Sequence, residues 1–90
     1  MYVSKELALI LKDRGFSKSF SSNSYYYTTI RSEEVVDWIF SEVSTRNYAK
    51  QGNVKWLQFW YTTLLEHKFS LMYEFIGRLE EWFEDNGYLI

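Results

Sequence analysis

The stretch at residues 55–65, KWLQFWYTTLL, constrains the fold most, because it carries no charged residue after Lys55. Its aromatic residues and threonines suit the pleated surface of a sheet, and strong helix formers are sparse before Leu64, so we predict a strand. Side chains of a strand alternate between its two faces. One face would hold Leu57, Phe59, Tyr61 and Thr63, and the opposite face would hold Trp56, Gln58, Trp60 and Thr62. Such a strand must be covered on both faces or must offer one of them to a partner.

A helix is the alternative for the same stretch. Its apolar side chains would then share one stripe at 3.6-residue spacing, made of Leu57, Trp60, Tyr61, Leu64 and Leu65. Hydrophobic spacing does not by itself separate a short buried helix from a strand, so the helical interpretation stays open.

The length of 90 residues predicts a single compact domain, residues 1–90, with no linker of consequence. A domain this small needs a rich core, and a content of 21% aromatic residues can supply one, since each large ring removes much area from water. This is more aromatic surface than a core of that size requires. Cysteine is absent, which excludes a disulfide framework and a thiolate zinc site.

The sequence shows no sign of membrane insertion. Its amino-terminal apolar run is short and interrupted by charge, unlike a signal peptide, and no segment approaches the ~20 apolar residues of a spanning helix. We therefore expect a cytoplasmic protein with no membrane partner. The net charge of −2 gives no overall attraction to nucleic acid, although a local basic patch can exist within that total.

Two amphipathic helices are predicted in the first half of the chain. The first begins after Ser4, a suitable N-cap, and ends near Arg14, with Gly15 as the stop signal. The second is capped by Ser32 and ends near Arg46, where the helix dipole favours a cation. Its buried face follows the pattern i, i+1, i+4, i+5, i+8 and consists of Val35, Val36, Ile39, Phe40 and Val43.

A third amphipathic helix is predicted near the C-terminal end, with Ser70 as its cap. Gly77 lies in the middle of this helix, which is tolerable where another backbone approaches closely. The other side of the helix is acidic near its C-terminal end, where the dipole disfavours anions, so packing must hold it. The apolar stripe consists of Leu71, Met72, Phe75, Ile76, Leu79, Trp82 and Phe83.

The remaining segments complete a predicted sheet. Residues 17–30 are rich in Ser, Tyr and Thr and predict a hairpin that turns at residues 21–24. Residues 47–53 are polar and predict a loop, while residues 66–69 fit either a turn or a short strand. The predicted class is therefore α+β, with a small antiparallel sheet, made of the hairpin plus one or two aromatic strands, packed with three amphipathic helices.

Basic residues and aromatic rings occur together in the segments predicted as sheet, whereas the acids lie in or beside predicted helices. Rings that stack on bases and cations that follow phosphates are what a single-stranded nucleic-acid platform uses. The competing interpretation is that Glu favours helices and aromatic residues favour strands, which segregates the charges without any ligand. The candidate binding residues are Trp56, Trp60, Tyr25, Tyr27, Lys55 and Arg46.

The sequence carries no signature of catalysis, of a metal site or of a cofactor. His67 is the only histidine, and beside Glu66 and Lys68 it is more typical of a solvated turn than of a catalytic base. The acids of the last helix do not form a calcium-type loop, and no phosphate-binding glycine motif is present. We therefore expect a non-enzymatic protein with neither a cofactor nor a metal.

Two segments resemble small proteins of unknown function encoded by phages and integrated mobile elements of gut bacteria. These segments are SKELALILKDRGF at residues 4–16 and SEEVVDWI at residues 32–39. The expected order of an aromatic strand followed by a C-terminal amphipathic helix is similar as well. The resemblance implies a compact α+β domain in a bacterial cytoplasm that acts on a host or phage macromolecule. No catalytic or binding residue is known for these proteins, so the resemblance assigns none to this chain.

Surplus aromatic surface in a small domain is most simply buried against another chain. The first hypothesis is therefore a protein-interaction module that could form a homodimer, and the alternative is a single-stranded nucleic-acid-binding protein. Both depend on whether Trp56 and Trp60 are exposed. If they are, replacing both with alanine should abolish binding and leave the fold intact. If they are buried, the function lies elsewhere in the chain.

Overall fold

A computed structural model describes residues 1–16, 30–46 and 49–88 of the chain, and these residues form four α-helices. The helices are α1 (Lys5–Asp13), α2 (Ser32–Thr45), α3 (Lys50–Glu66) and α4 (Met72–Asp85). In this part of the chain, β pairing is limited to one antiparallel bridge between Tyr2 and Arg31. The predicted α+β class is therefore wrong, and the fold is all-α. The predicted hairpin lies outside the described residues, apart from Ile30, which is buried.

The central stretch is helical, so the prediction of a strand at residues 55–65 is wrong. Burial explains the difference, because the buried side chains of α3 recur every three or four residues and form one helical face. They are Trp56, Leu57, Trp60, Thr63 and Leu64. A strand would place Trp56 and Trp60 on the face opposite Leu57 and Thr63, so it could not bury all these side chains on one side. Tertiary packing therefore outweighs the β propensity of the aromatic residues and threonines.

Helix α3 also begins earlier than the sequence indicated. It starts at Lys50, so the predicted loop at 47–53 is wrong for residues 50–53, and residues 47–48 lie outside the described chain. After α3, the chain turns rather than forming a further strand. His67 caps the helix, Lys68 adopts a φ of 51°, and Phe69 is buried against the core.

Helix α1 follows the prediction closely. The Ser4 hydroxyl accepts a hydrogen bond from the Leu7 backbone N–H at 3.2 Å, so Ser4 is the N-cap. Gly15 has a φ of 102°, a conformation that glycine adopts without steric cost, and it ends the helix. The Phe16 N–H then donates to the Leu11 carbonyl at 2.9 Å, which folds the buried Phe16 ring back onto the helix end.

Helix α2 buries all five apolar residues that the spacing predicted. Its predicted cap is wrong, because the N-cap residue is Arg31, whose N–H donates to the Glu34 carboxylate at 2.9 Å. Ser32 is instead buried, and its hydroxyl lies 2.8 Å from the Ser70 hydroxyl. Ser70 therefore does not cap α4, which has Leu71 as its N-cap residue. The two serines tie the start of α2 to the turn between α3 and α4.

Helix α3 packs antiparallel to both α2 and α4, and α2 and α4 also contact each other. The Trp56 indole N–H donates to the Ile39 carbonyl at 3.1 Å and joins α3 to α2. Helix α4 contacts α2 through the rings of Phe75 and Phe40, whose centroids are 5.5 Å apart. Helix α1 covers another side of α3, where the Arg14 guanidinium lies 3.6 Å from the centroid of the Phe59 ring.

Helix α4 is the least covered of the four. Phe75 is its single buried residue, and the other members of the predicted stripe are half-buried. Among the described residues, no backbone approaches Gly77 closely, since a Cβ added there would meet nothing within 4 Å.

Gly77→Ala should raise the free energy of unfolding by about 0.8 to 1 kcal/mol, because alanine restores helix propensity and the space around Gly77 is open. Urea unfolding followed by circular dichroism measures the change. Gly87→Ala is the matched control and should lower stability, because Gly87 has a φ of 79°. A loss of stability in Gly77→Ala would mean that another chain or segment approaches that position.

Ser70→Ala should lower the free energy of unfolding by about 1 to 2 kcal/mol, because the buried Ser32 hydroxyl would lose its partner. The double variant Ser32→Ala with Ser70→Ala should recover part of that loss, since it removes the unsatisfied group. Ser41→Ala, at an exposed position of α2, is the control. Equal effects of Ser70→Ala and Ser41→Ala would show that the serine pair adds nothing to stability.

Candidate functional site

The two tryptophans predicted to bind a partner lie in the core. Trp60 is fully buried and Trp56 is 8% exposed, whereas Gln58 and Thr62, expected on the same face, are exposed. The Trp60 ring lies 5.7 Å from Trp38 and 5.1 Å from Phe59, between centroids, and both pairs are edge-on. The predicted exposed strand face is therefore absent, and these rings hold the helices together.

The indole groups of the two tryptophans differ in their hydrogen bonding. The Trp56 N–H is satisfied by the Ile39 carbonyl, whereas the buried Trp60 N–H has no partner among the described residues. An unpaired buried donor costs free energy, which the surrounding ring contacts of Trp60 must offset.

Of the other candidate residues, the two that the structure describes, Arg46 and Lys55, do not form one exposed platform. Arg46 forms an ion pair with Glu42 at 2.8 Å, and its guanidinium lies 4.3 Å from the Trp56 ring centroid. Its charge is therefore engaged within the chain. Lys55 is exposed on α3, on a different side from the buried tryptophans. Tyr25 and Tyr27 lie outside the described residues.

An apolar groove between α3 and α4 is the surface that the sequence analysis missed. Its volume is about 190 Å³, and the area it exposes is apolar. Most ligand pockets are larger, at about 300 to 1,000 Å³, so this groove suits apolar side chains of a protein better than a cofactor. The groove is lined by Leu57, Gln58, Tyr61, Leu79 and Phe83.

The apolar surface continues beyond the groove along both helices. Leu65 is 53% exposed and Tyr61 38% exposed on α3, and Ile76 is half-buried on α4. A second depression, of about 310 Å³, shares Gln58 with the groove and extends past Val54 to Tyr88. We call the surface formed by Val54, Gln58, Tyr61, Leu65, Ile76 and Phe83 the α3–α4 face.

The sequence did contain a signal for this face. The helical interpretation of residues 55–65 placed Tyr61 and Leu65 in the apolar stripe, and the stripe of α4 included Ile76 and Phe83. Both stripes span a wider arc than one neighbouring helix can cover. The uncovered edges of the two stripes meet at the α3–α4 face.

Two further depressions differ from the groove, because charged and polar side chains border them. The one between α2 and α4 is bordered by Asp37 and Arg78, which are joined by an ion pair of 2.8 Å. Another lies beside the amino terminus and includes His67, Ser32 and Ser70. Within residues 1–16, 30–46 and 49–88, no group of three or more His, Cys, Asp or Glu side chains is placed to hold a metal ion.

No protein-family model, curated protein or solved structure matches this chain. Among the described helices, none is both long enough and apolar enough to cross a membrane.

Replacing Trp56 and Trp60 with alanine should unfold the chain rather than remove a binding surface. Each buried tryptophan is expected to contribute about 3 to 5 kcal/mol, and a small domain has about 5 to 15 kcal/mol in total. Circular dichroism and urea unfolding of Trp56→Ala with Trp60→Ala test this. The matched control, Tyr61→Ala with Leu65→Ala, changes two exposed residues of the same helix and should keep the fold. A cooperative transition in the tryptophan variant, near that of the unchanged protein, would contradict the structure.

Proposed function

We propose that this chain is a non-enzymatic protein-interaction module that binds its partner through the α3–α4 face. The observation that carries the proposal is the apolar groove between the two helices, with the exposed rings and aliphatic groups of Tyr61 and Leu65 beside it. Contiguous apolar surface of this kind is costly to leave in water and is typical of surfaces that bind other proteins.

The shape of the groove supports a helical or extended protein segment as its ligand. Two antiparallel helices form a linear channel, and a third helix binds such a channel through side chains spaced at i, i+3, i+4 and i+7. Aromatic residues such as Tyr61 and Phe83 supply much contact area for little loss of conformational entropy. The groove thus offers several side-chain sites in a row rather than one enclosed pocket.

The alternative of a single-stranded nucleic-acid-binding protein receives less support from the described residues. The two tryptophans that would stack on bases are buried. Arg46 forms an ion pair with Glu42 and lies over the Trp56 ring. Base stacking needs exposed ring faces, and phosphate binding needs available cations. The resemblance to phage- and mobile-element-encoded proteins supports a bacterial cytoplasm as the compartment of the proposed module.

Site-specific photocrosslinking tests the proposed function. A benzophenone amino acid at Tyr61, on the α3–α4 face, should give adducts with protein when irradiated in the organism that encodes the chain. The same substitution at Tyr2, which is 60% exposed near the amino terminus, is the matched control and should give few. Denaturing gels detect the adducts by mass. Equal yields at both positions, or no protein adduct at Tyr61, would refute the proposal.

A further inference from the structure

The two helices that border the groove carry opposite charges on their exposed sides. Helix α3 has Lys50 and Lys55 and no acid before its last residue, Glu66. Helix α4 has exposed acids throughout its C-terminal half, which are Glu80, Glu81, Glu84 and Asp85. Glu81 and Asp85 border the depression between α2 and α4, so the acids beside the α3–α4 face are Glu80 and Glu84. The α3 edge of this face is therefore basic to neutral, and its α4 edge is acidic.

These charges are not neutralised within the described chain. Arg78, the basic residue of α4, is paired with Asp37 of α2 on the other side of the helix. Among the residues that the structure describes, Lys55, Glu80 and Glu84 make no ion pair. The acids also lie near the C-terminal end of α4, where the helix dipole disfavours negative charge. The face therefore carries complementary charges that the described part of its own chain leaves unpaired.

The positions of these charges along the helices are also matched. Lys50 of α3 lies 4.9 Å from the centroid of the Tyr88 ring, just beyond the end of α4. Lys55 and Tyr88 border the same depression. The N-terminal half of α3 thus lies beside the C-terminal half of α4. The basic segment of α3 and the acidic segment of α4 therefore have the same position along the helix axes.

This arrangement distinguishes between the two ways in which a second copy can meet the face. A two-fold axis perpendicular to the helices would place α4 against α4 and α3 against α3, so the lysines of α3 would not face the acids of α4. A two-fold axis parallel to the helices would place α3 of each copy across α4 of the other. Rotation about this axis does not change the position of any residue along the helices. The partner subunit's Lys55 therefore comes opposite Glu84.

We propose that the α3–α4 face binds the same face of a second copy, through a two-fold axis parallel to the helices, with α3 of each subunit across α4 of its partner. This inference rests on the proposed function and names its partner. The dimer contains a four-helix arrangement in which every neighbouring pair is antiparallel, as in simple helix bundles. Tyr61, Leu65 and Phe83 supply its apolar centre, and Lys55 with Glu84 its charged edge. The N-terminal end of the partner's α3 also offsets the unfavourable dipole at the acidic end of α4.

Charge reversal tests both the partner and the axis. Sedimentation equilibrium of the full chain should show a monomer–dimer equilibrium, and Lys55→Glu or Glu84→Lys alone should weaken it about 10-fold or more, because each places like charges across the interface. A mixture of the two variants should associate again. In that heterodimer the two introduced charges attract each other at one edge, and the original lysine and glutamate stay paired at the other. Lys68→Glu, at an exposed position of the turn after α3 and beside the amino terminus, is the matched charge control and should leave the dimer unchanged. Circular dichroism checks that each variant is folded.

Several results would overturn the inference. A wild-type chain that is monomeric up to about millimolar concentration excludes the second copy. A dimer that neither single reversal weakens excludes the parallel axis, since that axis is the one that brings Lys55 opposite Glu84. If the Tyr61 photoadduct has the mass of this chain plus a different protein and the chain is monomeric, this inference fails and the proposed function stands. If Tyr61 gives no adduct, both fail.

Discussion

The burial of two tryptophans on one face of α3 is the constraint on which the other helices depend. Trp60 contacts the rings of Trp38 and Phe59, and Trp56 both packs edge-on against Trp38 and donates its indole N–H to the backbone of α2. Large rings that meet edge-on fix the separation and the rotation of two helices more narrowly than aliphatic side chains do. Once α2 and α3 are set in this way, the short connection between α3 and α4 leaves α4 few places to pack. The core of this small domain is therefore ordered around indole rings.

The arginines strengthen that core from its edges. Arg14, after α1, lies over the Phe59 ring, and Arg46, after α2, lies over the Trp56 ring while pairing with Glu42. Each guanidinium covers an aromatic face that the helices alone would leave in contact with water. For these two arginines, the association of basic and aromatic residues corresponds to contacts within the chain. The two guanidinium groups cover aromatic rings at the edge of the core. Their positions at the C-terminal ends of α1 and α2 also suit the helix dipole.

The sequence allowed α1 and α2 to be predicted, because each contains a regular apolar stripe. Helix α3 could not be identified in the same way, since tryptophan, tyrosine and threonine favour strands in isolation and the decisive spacing appears only once it is known which of them are buried. The caps at Ser32 and Ser70 were predicted wrongly for a related reason. Both serines suit a helix start, but a hydrogen bond between residues 38 positions apart is invisible to local pattern. The groove was missed because it lies between two helices, one of which was predicted as a strand.

The aromatic content that exceeds the needs of a small core is divided between two sides of the same helix. The inner row of α3, with Trp56 and Trp60, is committed to packing against α2, and any change there alters the fold. The outer row, with Tyr61 and Leu65, adds little to that packing and remains available to another surface. Because the two rows lie side by side on one rigid helix, α3 can transmit the geometry of the core directly to the groove. A partner bound there meets a surface whose shape is already fixed, and this lowers the entropic cost of association. In the proposed function, fold and recognition would thus use the same helix but different side chains of it.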